Sequence, residues 1–378
     1  MTTSIPSFPS FRSEKPRTVL VLQGGGALGA YQFGVYQALH EVGMEPDWVI
    51  GTSIGAINAA LIAGNPPEHR LERMAAFWDR VTHRGLSTWL ADVLPDWARA
   101  QHKLEVVLGG LSGFFRPSWP TWGADRPEAA GETPSCYSTQ ALRETLAELL
   151  DPSLLAHGPT RLTVGAVNVR TGQMRYFDSR HETVGIDAVM ASGALAPAFP
   201  AVRIGGESYW DGGLYSNSPI EVVLDEQPRR DALIFSAQLW RADGPLPRSL
   251  PAIDERLKDI QFASRADSHI ERQRQLHHLR HVVHRLIDAF PEEHRGHPAL
   301  QQHRHLACDT VMHVVKLRAP ALPGQDGAKD IDFSRQGVAA RHEMGLAIAR
   351  AALERRPWND ERGLSEGFCV HEVDAVVR

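Results

Sequence analysis

The amino-acid sequence predicts an α/β fold with a mostly parallel central sheet. Residues 17–23 and 48–50 are short runs rich in Val, Leu and Ile, a composition typical of strands that are buried on both faces. Each run is followed by an apolar segment with helical spacing, and the order strand, helix, strand, helix predicts right-handed crossovers between parallel strands. With 378 residues, 43% of them hydrophobic, the chain can bury a sizeable core.

The first two helices directly follow their strands. Val35, Leu39 and Val42 share one helical face, and Gly43 suits the end of that helix. Residues 56–63 predict a second helix, whose small side chains allow close packing on a sheet. The uncharged stretch around it is shorter than the roughly 20 residues that a membrane-spanning helix needs. We therefore expect a buried helix at this position.

The later elements alternate less regularly. Residues 161–170 and 173–178 flank Thr171 and Gly172 and predict a hairpin, so we expect a mixed sheet. The other predicted elements are a helix over 186–194, a strand leading to Tyr209, a strand over 231–239, helical structure from 241 to about 305, a strand over 311–317 and an amphipathic helix over 335–355.

Composition and charge exclude several classes of function. A net charge of −5 lacks the basic excess that nucleic-acid-binding proteins usually carry, so we expect no nucleic acid partner. Cys136, Cys308 and Cys369 lie far apart, which argues against a disulfide framework or a zinc ribbon and suits a reducing compartment. Residues 1–17 lack the continuous apolar stretch of a signal peptide. We expect a cytoplasmic protein.

Three consecutive glycines follow the first strand. Gly24, Gly25 and Gly26 can present backbone N–H groups to an oxyanion, because glycine lets a ligand approach the backbone closely. With Gly29 they also satisfy the Gly-x-Gly-x-x-Gly pattern of dinucleotide-binding proteins. That alternative requires an acidic residue at the end of the second strand, where this chain instead continues into residues 51–53, Gly-Thr-Ser.

The second strand leads into a Gly-x-Ser-x-Gly sequence centred on Ser53. Gly51 and Gly55 permit a tight turn that exposes the serine hydroxyl above the N-terminus of the next helix. A serine hydroxyl is a poor nucleophile at neutral pH, so it needs a neighbouring base and donors for the oxyanion. The glycine loop and the serine turn together predict a serine acyl hydrolase.

The chain resembles the patatin-like phospholipases, a family of lipid acyl hydrolases. The resemblance covers roughly residues 17–239, and the C-terminal third is similar to an extension found in a bacterial subgroup of the family. The segments that carry it, in the family's order, are the glycine loop 24–29, the serine turn 51–55, residues 191–200, the Asp-Gly-Gly sequence 211–213 and residues 217–220.

The resemblance implies a three-layer α/β/α fold and ester hydrolysis through an acyl-serine intermediate, without a metal or an organic cofactor. It makes Ser53 the nucleophile and Asp211 the general base of a catalytic dyad, and we expect partial desolvation to raise the basicity of that carboxylate. Leu28 departs from the Arg or Lys that many members carry, which puts a contact to a phosphate head group in question. The implied substrate is a lipid or another acyl ester, with transient contact at a membrane surface as an option.

Two other functions stay open at this point. The substrate could be a soluble acyl or hydroxyacyl ester, or the chain could be a lipid-binding protein that kept the fold and lost turnover. Comparing activity on short esters with activity on long esters tests the first alternative. Labelling of Ser53 by a fluorophosphonate bears on the second. The oligomeric state is not predicted.

The resemblance also divides the chain. We expect a disordered tail over 1–16, an acyl hydrolase domain over 17–240 and a mostly helical extension over 241–378 that could pack on the same sheet. Residues 77–125 suggest a cap insertion, in which an aromatic cluster either forms core or contacts lipid. Five of the nine tryptophans lie there: Trp78, Trp89, Trp97, Trp119 and Trp122.

Histidines are concentrated in the extension. Ten of the 18 lie between His269 and His313, and His277, His281 and His284 share one helical face, as metal ligands can. No cysteine or carboxylate completes an evident site. A solvated face or a contact between helices is therefore the preferred interpretation.

Overall fold

A nine-stranded mixed sheet organises the part of the chain that the structure describes. The structure is a computed structural model, and it describes residues 11–12, 15–82, 106, 108–118, 133–322, 328–359 and 366–373. The strands are β1 Arg17–Leu22, β2 Trp48–Gly51, β3 Arg116–Pro117, β4 Tyr137–Ser138, β5 Arg161–Asn168, β6 Met174–Asp178, β7 Val202–Ile204, β8 Glu207–Asp211, β9 Ala232–Gln238, β10 Met312–Arg318 and β11 Phe368–Val373.

The helices connect these strands and cover the sheet. Short 3-10 turns over Gly26–Gly29, Gly212–Leu214 and Lys329–Ile331 adjoin the candidate site described below. The α-helices are α1 Ala30–Glu41, α2 Ile54–Ala63, α3 Pro67–Val81, α4 Gln140–Leu149, α5 Pro152–His157, α6 Ile186–Ser192, α7 Glu221–Leu224, α8 Leu250–Ala289, α9 Glu292–Arg295, α10 Pro298–Gln301 and α11 Arg335–Arg355.

The sheet is mostly parallel. Its strand order is β11-β10-β9-β1-β2-β5-β8-β7, and β6 pairs with β5. The six strands from β11 to β5 are parallel to their neighbours, whereas β6, β8 and β7 pair antiparallel. The mixed sheet and the hairpin around Gly172 are therefore confirmed. The late strand β10 pairs with β9, so the C-terminal third extends the same sheet.

Both faces of the sheet are buried, which makes the architecture three-layered. Side chains alternate along β1: Leu20 and Leu22 belong to a core shared with α1, α2 and α11, whereas Val19 and Val21 belong to a second core shared with α7 and α8. Strands buried on both faces carry continuous apolar sequence, as the composition of β1 and β2 indicated.

Most predicted elements agree with the structure. The helix predicted over 335–355 has those bounds, and Gly43 follows α1 with a positive φ of 72°. Several features differ from the predictions. Helices α3, α4 and α5 and strand β11 were not predicted from their sequences. Phe11, within the tail expected to be disordered, is buried against the ring of His313. Burial of the Phe11 ring favours this ordered contact. The prediction for residues 1–10 and 13–14 lies outside the described residues.

Within the described ranges, no helix combines the length and the apolar character that crossing a bilayer requires. Of the predicted aromatic cluster, Trp78 is buried and donates its indole N–H to Asn58 Oδ1 at 3.2 Å. The other four tryptophans of that cluster, Trp89, Trp97, Trp119 and Trp122, lie outside the described residues.

Candidate active site

Ser53 lies on a strained turn between β2 and α2. Its backbone has φ 56° and ψ −125°, a conformation that residues with a side chain rarely adopt. The two flanking glycines make the turn possible by close packing. A Cβ on Gly51 would lie 2.2 Å from the carbonyl oxygen of Gly55, and a Cβ on Gly55 would lie 2.2 Å from that of Leu22. The Gly-x-Ser-x-Gly spacing is therefore required by contacts on both sides of the serine.

Ser192, at the end of α6, holds this turn in place. The backbone N–H of Ser53 donates to the carbonyl oxygen of Ser192 at 3.1 Å and to its Oγ at 3.0 Å. The Ser192 hydroxyl in turn donates to the carbonyl oxygen of Gly165 on β5 at 2.6 Å. The sequence analysis placed Ser192 in a family-like segment without giving it a role, because nothing local links it to Ser53.

The register of the sheet brings Asp211 beside Ser53. Gly51 pairs with Val164 on β5, so the residue two positions beyond Gly51 lies level with Ala166. Strand β8 runs antiparallel to β5, and its last residue, Asp211, pairs with Ala166. The two predicted catalytic residues, 158 positions apart in the chain, thus meet at one level of the sheet and line the same pocket, with the Ser53 hydroxyl close enough to the Asp211 carboxylate to favour its charged form.

The Asp211 carboxyl group is buried and rigidly held. Its Oδ1 accepts a hydrogen bond from the N–H of Gly213 at 2.7 Å, and its own backbone N–H donates to the carbonyl oxygen of Ala194 at 3.0 Å. Burial raises the pKa of Asp211 from 3.8 to about 6, although the hydrogen bonds from Ser53 and Gly213 act in the opposite direction. A carboxylate with this pKa is a stronger base toward a hydroxyl than an exposed one.

The three glycines of the loop are not equivalent. Gly24 already donates its N–H to the carbonyl oxygen of Asn217 at 3.0 Å, so that donor is not free for an oxyanion. Within the described residues, the N–H groups of Gly25 and Gly26 have no hydrogen-bond partner. Both residues line the same pocket as Ser53. Of the three predicted oxyanion donors, the N–H groups of Gly25 and Gly26 therefore remain available.

Side chains from later parts of the chain fasten the glycine loop. Asn217 donates its amide to the carbonyl oxygen of Gly24 at 3.1 Å, and the indole of Trp240 donates to the same oxygen at 2.7 Å. Gln23 accepts from the backbone N–H of Trp240 at 3.1 Å and donates to the carbonyl oxygen of Phe262 at 3.1 Å. Sequence reasoning did not identify these residues as part of the site, because their contacts are all long-range.

The C-terminal third also contributes to the site. Gly26 has φ 54°, and a Cβ there would lie 2.3 Å from the backbone carbonyl oxygen of Asp330. Asp330, Ile331 and Phe333 line the pocket around Ser53. Asp330 is held to α8 by an ion pair with Lys258, at 3.2 Å between Nζ and Oδ1.

The pocket above Ser53 is small and apolar. Its volume is about 190 Å³, and its walls combine aromatic and aliphatic side chains. Phe114 and Phe115, from the segment predicted as a cap, belong to these walls, so part of that aromatic cluster contacts the pocket rather than forming core alone. Leu195, Phe199, Phe262 and Phe333 form other parts of the pocket wall.

Two histidines of the extension bind a backbone carbonyl group. His277 and His281 both hydrogen-bond through Nε2 to the carbonyl oxygen of Thr310, at 2.7 and 2.8 Å. Burial lowers the pKa of His277 to about 4, so its ring is neutral near pH 7. In the described ranges, no histidine lines the pocket around Ser53, and no group of three or more His, Cys, Asp or Glu residues is placed to hold a metal ion.

Comparison with protein-family models matches two segments. Residues 20–224, which are 205 of the 378 residues, match the model of the patatin-like phospholipases. Residues 260–363 match a second model, described as patatin phospholipase. The first match includes Ser53 and Asp211, and the second covers most of the C-terminal third.

Curated relatives are similar over limited lengths. A cGAMP-activated phospholipase of Pseudomonas aeruginosa is 26% identical over 234 residues, which are 57% of this chain and 60% of that protein. A patatin-like phospholipase domain-containing protein of Aspergillus clavatus is 38% identical over 77 residues, covering 20% of this chain and only 11% of that protein. The chain thus aligns with less than two thirds of the length of either relative.

Solved structures show a more distant likeness. Human GIVD cytosolic phospholipase A2, in complex with methyl gamma-linolenyl fluorophosphonate, has a TM-score of 0.37 and 13% sequence identity, over 92% of this chain and 60% of that one. VipD from Legionella pneumophila has a TM-score of 0.32 and 17% identity, over 87% of this chain and 66% of that one.

Proposed function

This chain belongs to the patatin-like phospholipase family, because the family model matches more than half of it, and from that membership we propose that it hydrolyses lipid acyl esters with a Ser53–Asp211 dyad. The observation that carries the proposal is that the Ser53 hydroxyl and the buried Asp211 carboxylate lie next to each other in one apolar pocket. An apolar pocket accommodates an acyl chain, and the strained turn exposes a hydroxyl to it.

In the proposed reaction, Asp211 accepts the proton of Ser53 as Oγ attacks the ester carbonyl carbon. The N–H groups of Gly25 and Gly26 donate to the oxyanion of the tetrahedral intermediate. Collapse of this intermediate breaks the bond to the alcohol, which leaves with the proton from Asp211, and an acyl-serine remains. Water, deprotonated by Asp211, then attacks the acyl carbon; collapse of the second tetrahedral intermediate breaks the bond to Ser53 Oγ, which takes back the proton from Asp211 as the fatty acid leaves.

The substrate is proposed to reach the site from a lipid surface. Leu195, which lines the pocket, and Leu214 and Tyr215, in the turn that follows Asp211, are 37%, 44% and 52% exposed. On α8, the helix that contributes Phe262 to the pocket, Leu250 and Leu257 are 81% and 60% exposed. Contact of these side chains with a bilayer would place the pocket next to its substrate.

The test compares Ser53→Ala and Asp211→Asn with the wild type on phospholipid vesicles and on p-nitrophenyl esters of increasing chain length. Both variants should lose activity by several orders of magnitude, and a fluorophosphonate should label the wild type at Ser53 only. Ser153→Ala, an exposed serine far from the pocket, is the matched control and should behave as wild type.

The outcomes separate the alternatives. Faster turnover of soluble short esters than of any lipid would favour a soluble ester hydrolase. Absence of labelling and turnover in the folded wild type would favour a lipid-binding protein. If one His→Ala substitution abolishes activity without unfolding the protein, that histidine, rather than Asp211, is the base.

A further inference from the structure

The pocket around Ser53 extends along α2, the helix that begins directly after this serine. Ile54 and Ile57 come from the first turns of α2, and both are buried and line the pocket. The next residue, Asn58, accepts the indole N–H of Trp78 on its Oδ1 at 3.2 Å. At 1.5 Å per residue, Asn58 lies roughly 7.5 Å further along the helix axis than Ser53. The pocket therefore leads from the nucleophile toward Trp78.

The ring of Phe333 lies between this pocket and Trp78. The two rings stack, with their centroids 6.4 Å apart and their planes at 21°. Phe114 is a second neighbour of Phe333, at 5.9 Å between centroids, and both phenylalanines line the pocket, whereas Trp78 does not. Phe333 is only 2% exposed. Its ring thus closes the pocket on the side of Trp78.

The segment that carries Phe333 is held on both sides. The Nη1 of Arg341 donates to the carbonyl oxygen of Asp332 at 2.8 Å, and its Nη2 donates to the carbonyl oxygen of Lys329 at 3.1 Å and to the Asp332 carboxylate at 3.2 Å. Arg341 belongs to α11 and its side chain is buried. Ser334, directly after Phe333, is the N-cap of α11. The Phe333 ring is therefore a fixed wall.

The volume of the pocket limits how much of an acyl chain it can hold. A methylene group occupies about as much space as a water molecule in the liquid, roughly 30 Å³. The pocket volume of about 190 Å³ therefore holds about six such groups. Each methylene that is buried strengthens binding about fourfold. Carbons that lie outside the pocket do not contribute in this way.

We propose that Phe333 limits the length of acyl chain that the protein recognises, to about six to eight carbons. The proposal rests on the proposed function, because the acyl carbon must lie at Ser53. Longer chains are still accepted, but their distal carbons leave the pocket through its open side and add nothing to binding there. The limiting wall comes from the C-terminal third of the chain, outside the segment that contains Ser53 and Asp211.

The test measures kcat/KM on p-nitrophenyl esters from butyrate to dodecanoate. For the wild type, kcat/KM should rise about fourfold per carbon up to hexanoate or octanoate and then level off. Phe333→Ala removes the ring and should raise the ratio of kcat/KM on dodecanoate to kcat/KM on octanoate about tenfold or more. Phe333→Leu keeps more of the packing, so it should fold more readily and raise this ratio by a smaller factor.

Phe235→Leu is the matched control. Phe235 is buried in the same core and its ring packs on that of Trp358, at 5.6 Å between centroids, but it does not line the pocket. This variant should keep the wild-type ratio. A wild-type kcat/KM that continues to rise through dodecanoate, or the same ratio in the wild type and the folded Phe333 variants, would overturn the proposal.

Binding of the intact esters distinguishes this proposal from the proposed function. Ser53→Ala keeps the pocket, and its affinity for the same esters is measured by calorimetry without turnover. The affinity should level off at hexanoate or octanoate, and adding Phe333→Leu should move this point to longer chains. Absence of turnover in the wild type together with this affinity profile would contradict the proposed function and support the role of Phe333. An affinity that does not depend on chain length or on Phe333 would overturn that role.

Discussion

Replacing Asp211 by Asn should abolish turnover and at the same time stabilise the fold. The pKa of the carboxyl group is raised to about 6 in the folded protein, against 3.8 as its ordinary value, because the group is buried. The neutral carboxyl therefore favours the folded state below about pH 4, and this stabilisation is lost as the pH rises through 6. Asparagine is neutral at every pH and does not incur that loss.

The pKa difference sets the size of the effect. At about 1.4 kcal/mol per pKa unit, it corresponds to roughly 3 kcal/mol at pH 8 and to about half of that at pH 5. Asparagine can still accept the hydrogen bond from the N–H of Gly213 through its side-chain oxygen, so this contact is not a large opposing loss. Asp211→Asn should thus exceed the wild type in free energy of unfolding by these amounts.

Urea denaturation, followed by tryptophan fluorescence at pH 5 and pH 8, measures this difference. Ser53→Ala is the informative control, because it also inactivates the site but leaves the carboxylate buried without the neighbouring hydroxyl that favours its charged form, so it should be less stable than the wild type at pH 8. Equal stability of Asp211→Asn and wild type, or a difference that does not change with pH, would refute the assignment of Asp211 as a buried carboxyl group with a raised pKa.

Three further predictions concern catalysis and substrate access. The value of kcat/KM on a soluble ester should fall about tenfold per pH unit below pH 6, as Asp211 becomes protonated, and a profile that stays flat to pH 5 would contradict its role as base. Gly26→Ala should lower turnover at least about 100-fold, because a Cβ there meets the Asp330 carbonyl. Gly205 has a similar φ of 59° but lies in open space, so Gly205→Ala should leave turnover unchanged in the same assay. The double variant Leu250→Ser, Leu257→Ser should lower hydrolysis of phospholipid vesicles about tenfold or more and leave hydrolysis of p-nitrophenyl butyrate unchanged. Equal losses of activity on both substrates would exclude a role of these residues in lipid-surface contact.

Local sequence patterns predicted the elements that carry the site. The α/β alternation, the hairpin around Gly172 and the helix Arg335–Arg355 follow from periodicity and turn residues, which act over a few positions. Strand β11 did not follow, because this edge strand carries His371 and Glu372 and so lacks a continuous apolar run. The boundary between the hydrolase domain and the extension stays a prediction, since β10 and β11 belong to the same sheet as β1.

Ser53 and the glycine loop were identifiable from sequence because each is a short motif with a characteristic glycine spacing. Asp211 needed the family resemblance, since Asp-Gly-Gly alone is a common turn sequence. Only the tertiary structure decided that Asp211 meets Ser53, because an antiparallel strand must end at the matching level of the sheet. The same holds for the contacts of Asn217, Trp240 and Asp330 with the glycine loop. These are side-chain and backbone contacts between distant segments, and their geometry exists only once the sheet has formed.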